Sequence, residues 1–199
     1  MFIVLEGLDG AGKSTQIKQL RAMIAQMGIE SVDPYIVALL FAGDRADMAP
    51  QIRQWQAEGK VVIVDRYVYS NIGYQCAKIA DSQDQQRLKQ WILDTEYGYY
   101  NIPRPDISLF LDVPFAFTAQ SLTAQRSGDD RSYLNGQSDI HESSLDLQQM
   151  VRSVYLEAAK VDPALRVIDC SNSQGGMDTP EAIFSRIKDA VAPLLATLK

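Results

Sequence analysis

A glycine-rich segment near the start of the chain has the residue types and spacing of a phosphate-binding loop. Residues 7–14 read GLDGAGKS and directly follow the apolar run FIVL at residues 2–5. Gly7 and Gly12 allow the backbone to turn tightly, so that successive N–H groups point inward at phosphate oxygens. The preceding strand and the following helix that this loop requires are both predicted here. The ligand is therefore expected to be a nucleoside triphosphate.

Two side chains at the end of this loop add chemistry to the backbone. Lys13 can reach the β- and γ-phosphates, and the Ser14 hydroxyl can bind Mg²⁺. The helix predicted from about Lys13 also presents the positive end of its dipole to the phosphates. Asp9 lies inside the loop, where it can engage a metal or a ligand hydroxyl, or equally cap the loop's own N–H groups.

A second group of polar residues follows the apolar run at 61–65. This run brings Asp65 and Arg66 to the carboxyl end of a predicted strand, where open parallel sheets bind ligands. Asp65 can hold Mg²⁺ or orient an attacking oxygen, and Arg66 can neutralise phosphate charge with a bidentate fork. The alternative is a structural Asp–Arg pair at the sheet edge.

Phe41 and Arg45 are four residues apart on a predicted helix, and they therefore share one face. An aromatic ring and a guanidinium on one face can stack a base and hold a phosphate. The spacing alone favours the plainer interpretation, in which Phe41 is a core residue and Arg45 is solvated.

The polar, glycine-containing segment at residues 127–138 is predicted to be a mobile surface loop. Arg126 and Arg131 lie at its start and within it. A mobile arginine that closes over the phosphates would stabilise transition-state charge and exclude water, although such arginines are often only solvated. His141, the one histidine, is expected to lie at the surface rather than in a catalytic site.

Composition excludes several classes of protein. The chain has 199 residues and a formal charge of −6, which disfavours broad nucleic-acid binding. Cys76 and Cys170 show no metal-binding spacing and are expected to be free thiols in a reducing compartment. The sequence shows no signal-peptide pattern and no run long enough to span a membrane, so we expect a cytoplasmic protein.

The remaining sequence predicts alternating strands and helices in one domain over residues 1–199. The alternation indicates an α/β fold with a central parallel sheet and right-handed crossovers. Strands are predicted at 2–6, 61–65, 107–112 and 166–169. Helices are predicted near 13–27, 34–48, 50–58, 68–79, 82–97, 115–125, 139–160 and 179–197, with Pro34, Pro50 and Pro180 in first turns and Thr179 as a cap.

The combined motifs resemble the thymidylate kinase family of P-loop nucleoside monophosphate kinases. The similarity lies in the sequence at 2–15, LFAGDR at 40–45, VDRY at 64–67 with the polar residues after it, and RPDISLFLDV at 104–113. The phosphate loop alone is shared by many NTPases, whereas the combination in this order is much more specific. The resemblance implies a three-layer α/β/α P-loop fold with a short mobile lid at about 126–138.

The resemblance implies transfer of the γ-phosphoryl group of ATP to dTMP, giving dTDP and ADP, with Mg²⁺. It assigns Phe41 to stacking on thymine, Arg45 to the dTMP phosphate and base side, and Arg66 to the acceptor phosphate. Asn71 would lie near the base edge, Tyr74 against the sugar, and Asp9 at the 3′-hydroxyl or the water shell of magnesium. The implied catalytic residues are Lys13, Asp9, Arg66 and Arg131. The residues expected to contact ATP are Gly7, Gly10, Ala11, Gly12, Lys13, Ser14, Thr15 and Arg126. Ser70 would join the dTMP site, and Ser14 and Asp65 would hold the metal.

Members of the family differ in where an arginine near the phosphates comes from, and this sequence departs from the family at one further place. Gly10 and Ala11 leave the phosphate loop without the arginine that some members carry there, so a lid arginine, preferably Arg131, would take that role. Only residues 28–33 separate the first predicted helix from the helix of Phe41, and the three or four residues around Ile29 are too few for a strand, whereas the family has a strand and helix of some 20–30 residues here. We expect that a segment near residues 30–31 is missing from the printed sequence. A genuine deletion is the second explanation.

Two other functions remain open. The chain could be another deoxynucleotide or nucleoside kinase of the same fold, or an ATP-binding regulatory protein with no acceptor site. For the kinase, the resemblance also suggests a homodimer formed by helices that pack side by side, with nucleotides rather than nucleic acid or membrane as partners.

Overall fold

The computed structural model describes residues 32–123 and 145–196, together with the isolated helical residue Gln16. The chain forms two compact units, Met1–Asp33 and Pro34–Lys199, and the description below concerns the second. Strand 2–6, helix 13–27 and the loop at 127–138 lie outside the described residues. The organisation of residues 1–199 as one domain therefore stays a prediction.

Six α-helices and two strands occur in the described part of the second unit. In chain order they are α1 (Pro34–Ala57), α2 (Val68–Cys76), α3 (Ser82–Leu93), a π-helical segment (Asp94–Tyr99), β1 (Ser108–Asp112), α4 (Phe115–Thr123), α5 (Leu145–Val161), β2 (Leu165–Asp169) and α6 (Pro180–Leu195). Helix α6 begins as predicted, because the Thr179 side chain accepts a hydrogen bond from the Ala182 N–H at 3.2 Å.

β1 and β2 form a parallel pair and confirm the predicted strands at 107–112 and 166–169. Their register places Asp112 directly beside Asp169, so two carboxylates end the neighbouring strands. The crossover between them includes α4 and α5, as the alternating pattern predicted. The carboxyl edge of this sheet is therefore the place where a ligand site is expected.

The predicted strand at 61–65 is wrong for this structure, in which residues 60–64 have no regular secondary structure. The apolar run is exposed, and 91% of the Ile63 surface is accessible. A β-branched run becomes a strand only when neighbouring strands take its backbone hydrogen bonds. Among the described residues, only β1 and β2 provide such pairing, and they pair with each other.

The two helices predicted at 34–48 and 50–58 are one helix, because α1 continues through Pro50. Proline has a helical φ and removes only one hydrogen bond, a cost that burial of the flanking Ala49 and Ile52 offsets. The helix predicted over 82–97 also differs, since α3 ends at Leu93 and the chain continues as the π-helical segment.

A buried cluster between α1, α2 and α3 forms the main core of the described unit. It contains Ala38, Ala49, Val68, Ile72, Cys76, Leu88, Ile92 and Ile102. Cys76 and Cys170 are both buried and free, as predicted, and burial raises the pKa of Cys76 to about 12. No helix in the described ranges is both long and apolar enough to cross a membrane.

Helices α2 and α5 approach each other closely at Gly73. A Cβ atom on Gly73 would lie 2.6 Å from Cε2 of Tyr155, whose ring stacks on Phe110 at 4.3 Å between centroids. We expect Gly73→Ala to lower the free energy of unfolding by about 1–3 kcal/mol, because the stacked ring cannot move aside cheaply. Chemical denaturation measures this change.

Gly43→Ala is the matched control for that substitution. Gly43 is also helical, but a Cβ atom added there would meet no heavy atom within 4 Å. Alanine at this position should raise stability by up to about 1 kcal/mol through helix propensity alone. Equal effects of the two substitutions would contradict the close approach at Gly73.

Candidate active site

A cavity of about 390 Å³ opens at the carboxyl end of β1, between α2 and α5. Four of the predicted site residues line it together, namely Asp65, Arg66, Ser70 and Tyr74. The opposite wall comes from the end of β1, the start of α4 and one face of α5. The fold therefore brings polar residues from several elements to the edge where parallel sheets bind ligands.

Arg66 is held in an unusual backbone conformation at the cavity wall. Its φ is 65°, in the left-handed region that a residue with a Cβ atom rarely adopts. Its guanidinium lies over the Tyr74 ring, with Cζ 5.0 Å from the ring centroid. This strained backbone and the cation–π contact aim a positive charge into the cavity, and strain of this kind concentrates at functional sites.

Tyr155 links the two walls of the cavity. Burial raises the pKa of Tyr155, while a hydrogen bond with the Ser70 side chain and the positive charge of Arg66 act in the opposite direction. The phenol is therefore neutral near pH 7 and keeps a donor proton at the cavity wall. Sequence analysis missed Tyr155, because its position on α5 carries no motif.

A second arginine of the cavity is already paired with an acid. Arg152 donates from Nε to Oδ1 of Asp112 at 2.5 Å and from Nη2 to Oδ2 at 2.8 Å. This bidentate pair joins α5 to the end of β1, and the Asp112 hydrogen bond raises the pKa of Arg152. An aspartate at the end of a predicted strand indicates the carboxyl edge of the sheet. The local sequence does not reveal that Arg152 on α5 is its partner.

Arg45 and Asn71 meet at a buried acid, Glu96, which the sequence analysis did not single out. Glu96 has no exposed surface, and Arg45 pairs with both of its carboxylate oxygens, through Nε and, at 2.7 Å, through Nη2. The Asn71 side-chain amide donates to the same carboxylate at 3.0 Å. Two predicted substrate residues on different helices are therefore tied together by one carboxylate.

The plainer interpretation of Phe41 and Arg45 is wrong on both counts. Phe41 is 48% exposed rather than buried in the core, and the Arg45 side chain is only 15% exposed and ion-paired. The helical spacing on α1 was correct, but it could not reveal the buried acid that draws Arg45 inward. An exposed aromatic ring beside an anchored guanidinium is available to stack on a flat ligand.

The described residues provide limited means of holding a metal. No group of three or more His, Cys, Asp or Glu side chains within them could form a metal site. Asp65 is exposed at the cavity, and a single carboxylate suits Mg²⁺ when substrate phosphates and waters complete its shell.

The other predicted site residues lie outside the described residues. These are Gly7, Asp9, Gly10, Ala11, Gly12, Lys13, Ser14, Thr15, Arg126 and Arg131. The roles assigned to them stay predictions.

The fold has a counterpart of known structure. A solved thymidylate kinase from Candida albicans covers 94% of this chain and 89% of its own, with a TM-score of 0.57 and 24% sequence identity. This likeness assigns the chain to the α/β P-loop fold of the nucleotide kinases.

Sequence comparisons identify the family. The family model described as thymidylate kinase matches residues 30–178. A probable thymidylate kinase from Thermococcus kodakarensis is 31% identical to this chain, in an alignment that covers 98% of each protein. One from Pyrococcus horikoshii is 31% identical over 86% of this chain and 89% of its own, and a Bifidobacterium longum thymidylate kinase is 28% identical over 98% of each. The chain belongs to the thymidylate kinase family.

Proposed function

We propose that this protein is an ATP-dependent kinase that transfers the γ-phosphoryl group to dTMP, giving dTDP for dTTP biosynthesis. Family membership supports this activity. The observation that carries the proposal is the cavity at the end of β1, which gathers Arg66, Ser70 and Tyr74 on the acceptor side. A protein that only sensed ATP would need no such second site.

The chemistry follows from charge. Two anions must approach each other, and the transferred group spreads negative charge over its oxygens, so the protein contributes mainly positioning and positive charge. Lys13 serves the ATP phosphates, and Arg66 serves the acceptor phosphate. The acceptor oxygen is already ionised, and no strong general base is required.

Mg²⁺ would be held by the Ser14 hydroxyl and the Asp65 carboxylate. In that position the ion would supply positive charge to the phosphate groups. Asp9 would contact the dTMP 3′-hydroxyl or the water shell of the ion. Arg126 and Arg131, from the lid, would close on the ATP phosphates, and Arg131 would supply the arginine that Gly10 and Ala11 do not.

The thymine would bind between α1 and α2. Phe41 stacks on the base, Arg45 and Asn71 face its polar edge and the phosphate side, and Tyr74 lies against the sugar and disfavours a 2′-hydroxyl. The exposure of Phe41 and the anchoring of Arg45 and Asn71 on Glu96 support these roles.

Phe41→Ala tests the stacking role. Base–aromatic stacking contributes about 1–3 kcal/mol, so the KM for dTMP should rise about 5- to 150-fold while the KM for ATP stays within twofold. Met48→Ala, on the same helix and 49% exposed, is the matched control and should leave both values unchanged. A change confined to the KM for ATP would count against the assignment.

The family segment expected near residues 30–31 is a separate matter. The alignment with the Thermococcus relative spans 228 positions, whereas 98% of 199 residues is about 195, so about 33 positions have no residue from this chain. The corresponding figure for the Bifidobacterium relative, over 226 positions, is about 31. We propose that this shortfall is the missing βα unit, which carries a phosphate-contacting arginine in the family.

An acceptor panel tests the proposed function against its nearest rival. With ATP and Mg²⁺, dTMP should be phosphorylated with a kcat/KM well above that of dCMP, dGMP or thymidine. Preference for thymidine or for another monophosphate would assign the chain to a different kinase of the same fold. Weak binding of dTMP by an otherwise active enzyme would point to the missing βα unit.

The assembly and location of the protein are also proposals. A homodimer through side-by-side helices is supported by exposed apolar residues on α1, among them Ile36, Leu39 and Leu40. A kinase of nucleotide biosynthesis would act in the cytoplasm, where ATP and dTMP are its small-molecule partners.

A further inference from the structure

Glu96 occupies an unusual position for an acid that no motif marks. It lies in the π-helical segment Asp94–Tyr99 and has no exposed surface. Single π-helical turns are rare and occur frequently at functional sites. A fully buried carboxylate is also costly unless charge and hydrogen bonds compensate it.

The compensation comes from two residues of the proposed dTMP site. Arg45, on α1, pairs bidentately with Glu96, and the Asn71 amide nitrogen, on α2, donates to Glu96 Oε1 at 3.0 Å. The same nitrogen donates to the Ala38 carbonyl oxygen at 2.9 Å. Glu96 therefore fixes the directions of a guanidinium and an amide that belong to different helices.

These contacts determine which atom of Asn71 is left for a ligand. Both partners of the amide nitrogen can only accept, so the nitrogen must face them and the carbonyl oxygen Oδ1 must face away. Asn71 is 3% exposed, and Oδ1 is buried without a hydrogen-bond partner among the described residues. A buried acceptor of this kind is satisfied when a bound molecule offers an N–H donor.

We propose that Glu96 is a positioning residue for base selection: it orients Asn71 Oδ1 as an acceptor, so that the site favours a pyrimidine whose ring N3 carries a proton. Thymine has this proton, whereas neutral cytosine presents a bare N3 acceptor that would oppose Oδ1. The inference rests on the proposed function. The competing view is that Glu96 only neutralises Arg45 and stabilises the fold.

Glu96→Gln separates these views, because the glutamine side chain has nearly the same shape as glutamate. It offers a single acceptor oxygen to the three donor nitrogens, which are Nε and Nη2 of Arg45 and Nδ2 of Asn71. With the carboxylate removed, the Asn71 nitrogen keeps the Ala38 carbonyl as an acceptor but loses the charged one, so the amide is held less firmly and can turn its nitrogen toward the ligand. We expect the KM for dTMP to rise at least tenfold, and the ratio of kcat/KM for dTMP over dCMP to fall at least tenfold. The KM for ATP should stay within twofold.

Glu157→Gln is the matched control, since Glu157 is exposed and pairs with Lys160 on the same helix. Its kinetic constants should equal those of the unmodified protein. Thermal melting of both variants shows whether each is folded at the assay temperature. If Glu96→Gln does not fold, Glu96→Asp takes its place, because it keeps the charge beside Arg45 but draws the carboxylate back from Asn71.

The outcomes are distinguishable. An unmodified protein that fails to phosphorylate dTMP overturns the proposed function. An active protein whose folded Glu96 variant keeps its preference for dTMP over dCMP overturns the positioning role and leaves Glu96 as a structural acid. A selective loss of that preference, absent from Glu157→Gln, supports the inference.

Discussion

Lys13→Ala should lower kcat for phosphoryl transfer on the order of 10²–10³-fold while leaving the fold intact. The lysine supplies positive charge to the β- and γ-phosphates, where negative charge moves during transfer, and one such interaction in a closed site has an effect of this size. Because the transition state gains more from it than bound ATP does, kcat should fall more than the KM for ATP rises. Steady-state kinetics over a range of ATP concentrations measure both quantities.

Lys160→Ala is the control for that loss. Lys160 is exposed on α5 and pairs with Glu157 one turn away, so its removal changes net charge by the same amount without touching the site. Its kcat should match that of the unmodified protein. Near-normal turnover by Lys13→Ala, with a melting temperature equal to that of the control, would refute the role of the phosphate loop in catalysis.

Arg66→Gly should nearly abolish activity without destabilising the protein. The guanidinium lines the proposed acceptor site, and its loss should lower kcat/KM for dTMP about 10²–10³-fold. The backbone at Arg66 has a φ of 65°, which glycine adopts without strain. Relief of this strain offsets the lost cation–π contact with Tyr74, so the free energy of unfolding should stay within about 1 kcal/mol of that of the unmodified protein.

Asn101→Gly provides the comparison for this backbone effect. Asn101 also has a positive φ, 47°, but its side chain lies outside the cavity. Glycine there should relieve a smaller strain, because asparagine tolerates this conformation better, and activity should be unchanged. If Arg66→Gly keeps its activity, or loses its fold, the account of Arg66 as a strained acceptor-site cation is wrong.

The elements that were predicted correctly are those whose signals are local. The runs at 107–112 and 166–169 became β1 and β2 within a residue, because each is a short apolar segment with its pairing partner in the same unit. Thr179 capped α6 as expected, since capping depends on a side chain and a backbone three residues away. Asp65, Arg66, Ser70 and Tyr74 reached one cavity because they lie just before and within α2, which forms one wall of that cavity.

The elements that were missed depend on distant neighbours. Residues 61–64 have strand composition, but their pairing requires other strands, and the described unit leaves Ile63 exposed. Pro50 did not divide α1, because burial on both sides of the proline outweighed one lost hydrogen bond. Local sequence carries no information on such long-range pairing and packing.

The largest surprise in the candidate site is Glu96. It lies 51 residues from Arg45 in the chain, and nothing in the sequence DTEYGY at residues 94–99 distinguishes it from a solvated acid. Because Glu96 is buried, Arg45 is held in an ion pair with it and is not the solvated residue that the helical spacing alone had suggested. The packing of α1, α2 and the π-helical segment creates this relation, and only a structure could reveal it.

The most direct test of the whole account is ADP formation by the purified protein with ATP and Mg²⁺, measured with and without dTMP. A kinase must couple ADP release to an acceptor, so we expect little ADP with ATP alone and a large, saturable stimulation by dTMP, with one dTDP formed for each ADP. ADP formed at the same rate in both conditions, without dTDP, would contradict the proposed activity and indicate an ATP-hydrolysing regulatory protein.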